Sequence, residues 1–478
     1  MTTVTYTSPS LFVAGEWIAQ TDAMEPVYNP ATGEQIGQTP QADEAMVDRA
    51  LAAAESGFEI WRKTPLAERT RIMAAAAALL RERMDDAVVH LTMEQGKPVG
   101  EARSELENCA LLLEWCPQEA GRVMDRVLPE RDGFRDLRVR HEPIGPVAAF
   151  APWNFPASLA GRKVASALAV GCSVIARPAG ETPAALGFFA RALDDAGLPK
   201  GVLNILYGKA SMITNRLIDS PVIRKVAFTG STEVGCKLAE RAGANAKPSV
   251  MELGGHAPVI VCADADIKKA VALSIVSKYR NTGQVCVSPT RFFVEDSVYD
   301  AFTTQFVAAA RQLVVGDGLD PDTQMGPMAN ERRVTAVDAL VQDARDRGAT
   351  LLTGGERLNR AGNFYMPTVL GDVPDDAAIM TEEPFGPVAT VNRFTDIHDA
   401  LAKANATPYA LGAYGFTRSD ETAELLISEL DAGMIGMNTY TVTLTDSPIG
   451  GRRFSGFGSE GGPEGISAYL IPKFASLA

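Results

Sequence analysis

The order of apolar and polar positions changes character along this chain. Between residues 43 and 90, acidic openings followed by apolar residues at helical spacing predict two helices, and residues 94 to 120 continue the pattern. From about residue 138, short apolar runs ended by Gly or Pro take over, in "RVRHEPIGPVAAFAPWNFP", "AVGCSVIARPAGETP", "GVLNILYG" and "IRKVAFTG", with helical patterns between them. Such alternation reads as a parallel sheet with crossover helices. A second alternating stretch starts near "APVIVCADAD" (257 to 266), passes through the strand "TRFFVEDS" and runs to about residue 437. The chain therefore reads as two α/β units. The last segment, "GISAYLIPKFASLA", ends in an alternation that suits an exposed strand seeking a partner edge, and residues 121 to 142, rich in Arg and Asp, read as an excursion from the first unit.

A length of 478 residues exceeds the size at which one core keeps growing, in keeping with two packed units. No segment approaches the unbroken apolar length of a membrane span. The formal net charge of -14 argues against nucleic acid or an anionic membrane as the main partner, although a local basic pocket can still take a small anion. No basic stretch leads into an apolar run at the start, so a cytoplasmic location is expected. The six cysteines and four histidines are scattered, without the spacing of a zinc site or a disulfide framework.

Four stretches carry candidate chemistry. "NTGQVCVSPT" (281 to 290) sets Cys286 in a bend of small and polar residues, where a thiol can pack, bind a metal or attack. "VMELGGHAPVIV" (250 to 261) puts Glu252 in an apolar run before two glycines; burial there would raise its pKa towards that of a general base, and a salt-bridged or turn-capping acid is the plain alternative. "APWNFP" (151 to 156) holds Asn154 between an aromatic and a proline, an ordinary turn residue unless its amide N–H faces a developing oxyanion. "KVAFTGSTEVGCKLAE" (225 to 240) reads as a strand, a turn with Gly230, Ser231 and Thr232, and a helix start that attracts phosphate; it is neither GxGxxG nor a P-loop. Together these supply nucleophile, base, oxyanion donor and phosphate site, the parts of covalent chemistry at a carbonyl.

In order and spacing, "PWNFP", "FTGSTEVG", "MELGGHAP", "NTGQVC" and "EEPFGPV" resemble the NAD(P)-dependent aldehyde dehydrogenase superfamily over essentially the whole chain. The resemblance implies an α/β fold with a Rossmann-like cofactor domain (1–120 and 143–254), an α/β catalytic domain (255–454) and a small β oligomerisation arm with the C-terminal segment (121–142 and 455–478), assembled as a homodimer or homotetramer. It implies that Cys286 attacks the aldehyde, that Asn154 and the Cys286 N–H hold the oxyanion, that hydride leaves to nicotinamide, and that Glu252 activates the water that hydrolyses the thioester. Lys163 and Glu460 match positions of a proton path to the base. Cofactor contacts implied are Ser231, beside Gly230, at the pyrophosphate, Glu383 at the nicotinamide ribose, Trp153 along the pocket and Phe385 beside the nicotinamide.

Departures from the family pattern bear on specificity. "RPAG" places Arg177 where relatives have a lysine at the adenosine ribose, and Gly180 where they have a glutamate that repels a 2′-phosphate, so NADP is expected to be accepted beside NAD. Arg162 and Arg280 match arginines that grip the distal carboxylate in succinate-semialdehyde and α-ketoglutarate-semialdehyde dehydrogenases, which makes a small carboxylated semialdehyde the expected substrate. "TYTVTLTDSP" (439 to 448) matches neither group, and a neutral aldehyde is the alternative substrate. Ser288 stands where some relatives have a second cysteine, so no redox switch of that kind is expected. A cysteine hydrolase would need a partner histidine, a CoA-acylating enzyme would not need Glu252, and a non-catalytic member would be expected to lack Cys286 or Glu252.

Overall fold

The computed structural model describes residues 5–478. Its first sheet has eight strands in the order Glu16–Ile18, Leu11–Val13, Leu203–Ile205, Val174–Arg177, Val147–Phe150, Lys225–Thr229, Ser249–Glu252 and Gly456–Phe457. The five inner strands, from Leu203–Ile205 to Ser249–Glu252, run parallel, and their apolar side chains are almost wholly buried. That is why they read as unbroken apolar runs, since helices cover both faces of such a sheet. Strand order reverses between Val147–Phe150 and Lys225–Thr229, which pair in register from Val147 with Lys225 to Phe150 with Phe228. Loops leaving the C-terminal ends at this reversal diverge and open a crevice. The two loops that do so here are "APWNFP" and the Ser231 turn.

The second sheet has seven strands, ordered Thr350–Thr353, Thr368–Gly371, Val388–Phe394, Pro289–Glu295, Ala257–Val261, Gly412–Phe416 and Met434–Met437, all parallel except the first. A separate three-stranded ribbon forms as well. Leu470–Leu477 pairs antiparallel along the whole of Asp136–Pro143, whose other edge takes Arg126–Val127.

Two sequence expectations need correction. The pattern from 43 to 90 forms three helices rather than two, Glu44–Trp61, Leu66–Glu82 and Met84–Gln95. The extra break falls at Arg83, whose φ/ψ of -99/12 departs from helical values while its guanidinium pairs with Asp195 at 2.7 Å, so a tertiary contact sets it and no Gly or Pro marks it. Residues 455–469, expected with the arm, return to the first unit instead. Gly456–Phe457 adds to Ser249–Glu252, and Gly462–Ser467 packs on the helices Val99–Ala120 and Pro156–Val170. Gly456 makes the return possible at φ +114, because a Cβ there would lie 1.8 Å from the Met251 carbonyl oxygen. Among the described residues no helix is long and apolar enough to cross a membrane, and no group of metal-ligating side chains occurs.

Candidate active site

Cys286 follows a tight turn, Arg280–Gly283, in which Asn281 and Thr282 take left-handed φ of +48 and +56. Such backbone persists only where surrounding contacts over-determine it. Here the Asn281 N–H donates to Glu101 Oε2 at 2.8 Å, Thr282 Oγ1 donates to the Gly326 carbonyl at 3.0 Å, and a Cβ on Gly283 would sit 2.1 Å from the Gly386 carbonyl oxygen. Burial, then the Glu383 and Glu252 charges, push the Cys286 thiol up to about 12, while its own N–H and that of Val287 draw it down. An anion at the sulfur therefore meets two backbone donors.

Asn154 is buried in the loop after Val147–Phe150. Its Nδ2 donates to the Gln284 carbonyl at 3.1 Å, its own carbonyl accepts from Lys97 Nζ at 2.7 Å and Asn281 Nδ2 at 2.8 Å, and its Oδ1 has no partner. The oxyanion candidate is thus tied directly to the nucleophile's turn, across 130 residues of sequence.

Glu252 ends its strand in register with Thr229. Burial, then the charge of Glu460, hold its carboxyl well above the ordinary range, opposed by Lys163 and Arg162, and its Oε1 has no partner. Lys163 Nζ donates to Thr229 Oγ1 at 2.5 Å and stands 2.6 Å from Glu460 Oε1, an ion pair without hydrogen-bond alignment. Two carboxyls and two cations, all buried, form one cluster at the strand ends. A cavity of about 730 Å³ is lined by Cys286, Glu252, Glu460, Arg162, Arg280 and Phe155; Asn154 and Lys163 are not part of that lining. Arg162 is buried and its Nη1 is unpartnered; Arg280 is exposed, its guanidinium 5.5 Å from the Phe155 ring centre.

The residues expected to hold a dinucleotide also fit one. Ser231 precedes the helix Thr232–Ala244 and its hydroxyl caps nothing, leaving first-turn N–H groups open to an anion. Gly230 packs against Phe228, where a Cβ would approach the ring to 2.5 Å. Glu383 Oε1 accepts the Gly255 N–H at 3.0 Å; burial raises the carboxyl to about 7 against the pull of that N–H, Arg333 and Lys278. Trp153 meets Phe385 edge to face at 5.5 Å. Arg177 and Gly180 line a second cavity of about 760 Å³, with Arg177 Nε buried and unpartnered; only Glu25 Oε2, at 3.9 Å, would face a Cβ on Gly180.

Lys97, Glu101, Glu105, Asn281, Gln284 and Thr229 belong to the site and were not singled out by sequence. Lysine and glutamate at the start of a helix read as solvated, and their partners are distant in sequence.

The model described as the aldehyde dehydrogenase family matches residues 17–475. The chain is 43% identical over 475 residues, covering 99% of each protein, to a putative 4-(hydroxymethyl)benzenesulfonate dehydrogenase of Comamonas testosteroni. It is 39% identical over 466 residues, 97% of each, to a succinate-semialdehyde dehydrogenase of Escherichia coli K12 named for NADP(+). The crystal structure of succinate-semialdehyde dehydrogenase from Burkholderia pseudomallei superposes with a TM-score of 0.96 at 40% identity, covering 98% of each chain. Matched from residue 17 to residue 475, the chain belongs to the aldehyde dehydrogenase family and is an NAD(P)-dependent enzyme that oxidises aldehydes.

Proposed function

We propose that the substrate is an aldehyde with a distal anionic group, a carboxylated semialdehyde such as succinate or α-ketoglutarate semialdehyde, and that Cys286 is the nucleophile. The observation that carries this reading is the single cavity lined by Cys286, Glu252 and both Arg162 and Arg280. In a chain of net charge -14, two guanidiniums facing one apolar-walled cavity supply a local site for an anion. The buried, unpartnered Arg162 Nη1 supports this most directly, since a buried donor without an acceptor is costly until a ligand supplies one.

The thiol of Cys286 gives its proton to water in the cavity, and the sulfur bonds to the carbonyl carbon as the C=O electron pair moves onto oxygen. Asn154 Nδ2 and the backbone N–H of Cys286 donate to the resulting oxyanion, in a desolvated setting where fixed donors count most. The oxyanion then re-forms the carbonyl as the carbon–hydrogen bond breaks and hydride leaves, which makes the thioester on Cys286; a dinucleotide held by Ser231, Gly230, Glu383, Trp153, Phe385 and Arg177 would supply the acceptor. Glu252 then takes a proton from water as its oxygen attacks the thioester, the carbon–sulfur bond breaks, and the acid leaves. Thr229, Lys163 and Glu460 offer the onward path for that proton. We propose that NADP is accepted beside NAD, with Arg177 on the 2′-phosphate and Gly180 leaving room for it; the relative named for NADP(+) supports this.

A second reading, in which the distal anion is a sulfonate on an aromatic ring, is favoured by the relative named for a benzenesulfonate and by the apolar wall of Phe155, Leu159, Leu411 and Met434. Initial rates with succinate semialdehyde, α-ketoglutarate semialdehyde, 4-formylbenzenesulfonate, hexanal and benzaldehyde separate the readings. In Arg162→Leu/Arg280→Leu, KM for the preferred anionic aldehyde should rise about tenfold or more relative to a neutral one of similar size. Equal changes for charged and neutral aldehydes would sink the anion clamp, and preference for the sulfonate would select the second reading.

A further inference from the structure

Asn154 is braced from behind by a buried ion pair that the reaction as proposed does not use. Lys97 lies in the turn between Met84–Gln95 and Val99–Ala120, and neither its side chain nor that of Glu105 reaches solvent. Its Nζ stands 2.5 Å from Glu105 Oε2, donates to the Asn154 carbonyl at 2.7 Å and lies 4.0 Å from the centre of the Phe155 ring. The other Glu105 oxygen accepts the N–H groups of Ala157 and Ser158 at 2.9 and 3.1 Å, donors in the first turn of Pro156–Val170 that the helix itself leaves unpaired. One ion pair thus grips the loop on both sides of Phe155 and Pro156.

The same helix also reaches the nucleophile's turn. Glu101, four residues before Glu105 and so on the same helix face, accepts the Asn281 N–H at 2.8 Å, and Asn281 Nδ2 donates at 2.8 Å to the carbonyl that Lys97 holds. The Asn154 loop and the Cys286 turn are therefore both referenced to Val99–Ala120 and the lysine before it. A displacement near 1 Å between such groups is costly to a reaction that depends on alignment.

We infer that Lys97, paired with Glu105, is a positioning residue for aldehyde oxidation that acts through Asn154. The pair fixes the backbone from which the Asn154 amide reaches the oxyanion and touches no reacting atom itself. This rests on Asn154 being the oxyanion donor.

Removing Lys97 alone would leave Glu105 buried and uncompensated, so the informative variant replaces both, Lys97→Met/Glu105→Gln. Initial rates with one aldehyde are compared for the wild type, the paired variant, Asn154→Ala and the combination of all three changes. The paired variant should lose about tenfold or more in kcat/KM, through kcat, whereas in the Asn154→Ala background the same replacement should cost less than about threefold. A merely structural role predicts equal losses in both backgrounds; that result, a loss confined to KM, or no loss in the wild-type background would overturn the inference. If Asn154→Ala itself costs less than about threefold, the oxyanion assignment falls first and the inference with it. Should the paired variant fail to fold, Lys97→Leu/Glu105→Gln, which also replaces both partners and removes the donor to the Asn154 carbonyl, goes through the same cycle under the same criteria.

Discussion

At Glu252, burial and then the neighbouring Glu460 charge raise the carboxyl's pKa, while Lys163 and Arg162 pull it down. A general base with a raised pKa binds its proton more tightly in the folded than in the unfolded chain, so folding loses stability as pH climbs past the unfolded value. Glu252→Gln should therefore melt above the wild type at pH 8, with the difference shrinking towards pH 4; a lower melting temperature at both would count against the raised value. The same variant tests the base role directly. Mixed rapidly with NAD(P) and aldehyde, it should release one equivalent of reduced nicotinamide per active site and then turn over about a hundredfold more slowly, whereas Cys286→Ala should give no burst. An unchanged steady rate would remove Glu252 from thioester hydrolysis. Motif spacing makes Cys286, Glu252 and Asn154 visible as a set, because each lies within three residues of a glycine or proline that constrains the backbone. Lys97 and Glu105 escaped for the opposite reason. A charged residue beside a helix start is ordinary, and only burial, which depends on residues 154 to 158 folding over it, makes it consequential.

The C-terminal segment shows the same division at the level of elements. Alternation in the last residues foretold a strand, and Leu470–Leu477 does pair along Asp136–Pro143, since a strand with apolar residues on both faces gains most from an edge. The stretch before it carries no apolar run that would tie it to the first sheet, and its place depends on glycines whose role only the fold reveals. In the structure they are close-approach points that seat Gly456–Phe457 on the first sheet and carry Glu460 to Lys163. The ribbon itself leaves Met124, Val127, Phe134, Ile471, Phe474 and Leu477 exposed, an apolar surface too large for a three-stranded ribbon to keep in water by itself. We expect a second copy of the chain to cover it. Ile471→Asp/Phe474→Asp should shift the molar mass measured by light scattering to a smaller species, by a factor of about two if the interface is two-fold. An unchanged mass with a folded circular-dichroism spectrum would place the subunit contact elsewhere.

Across the whole molecule, two largely parallel sheets with helices between their strands were legible from the alternation of short apolar runs and helical patterns, because buried parallel strands have no polar face to disguise them. Which loops would meet was not legible from pattern. That follows from the reversal of strand order between Val147–Phe150 and Lys225–Thr229, a property of topology. The reversal sets the reacting cavity beside the Ser231 turn, while Arg177 and Gly180 line a second cavity with Glu25. Ligand binding at the second cavity is linked to the stability of the chain that forms it, so melting temperature reports on cofactor choice without any aldehyde. A ligand at a hundred times its Kd stabilises the folded state by about 2.7 kcal/mol. At saturating concentration both NAD and NADP should raise the melting temperature of the wild type. In Arg177→Ala the NADP shift should fall more than the NAD shift, because only NADP presents a 2′-phosphate to the guanidinium. Glu25→Gln should do the reverse and favour NADP, since its carboxylate faces the space that Gly180 leaves open and repels a phosphate there. If Arg177→Ala instead lowers both shifts equally, the guanidinium serves the ribose that the two cofactors share, and the discrimination must come from Glu25 alone.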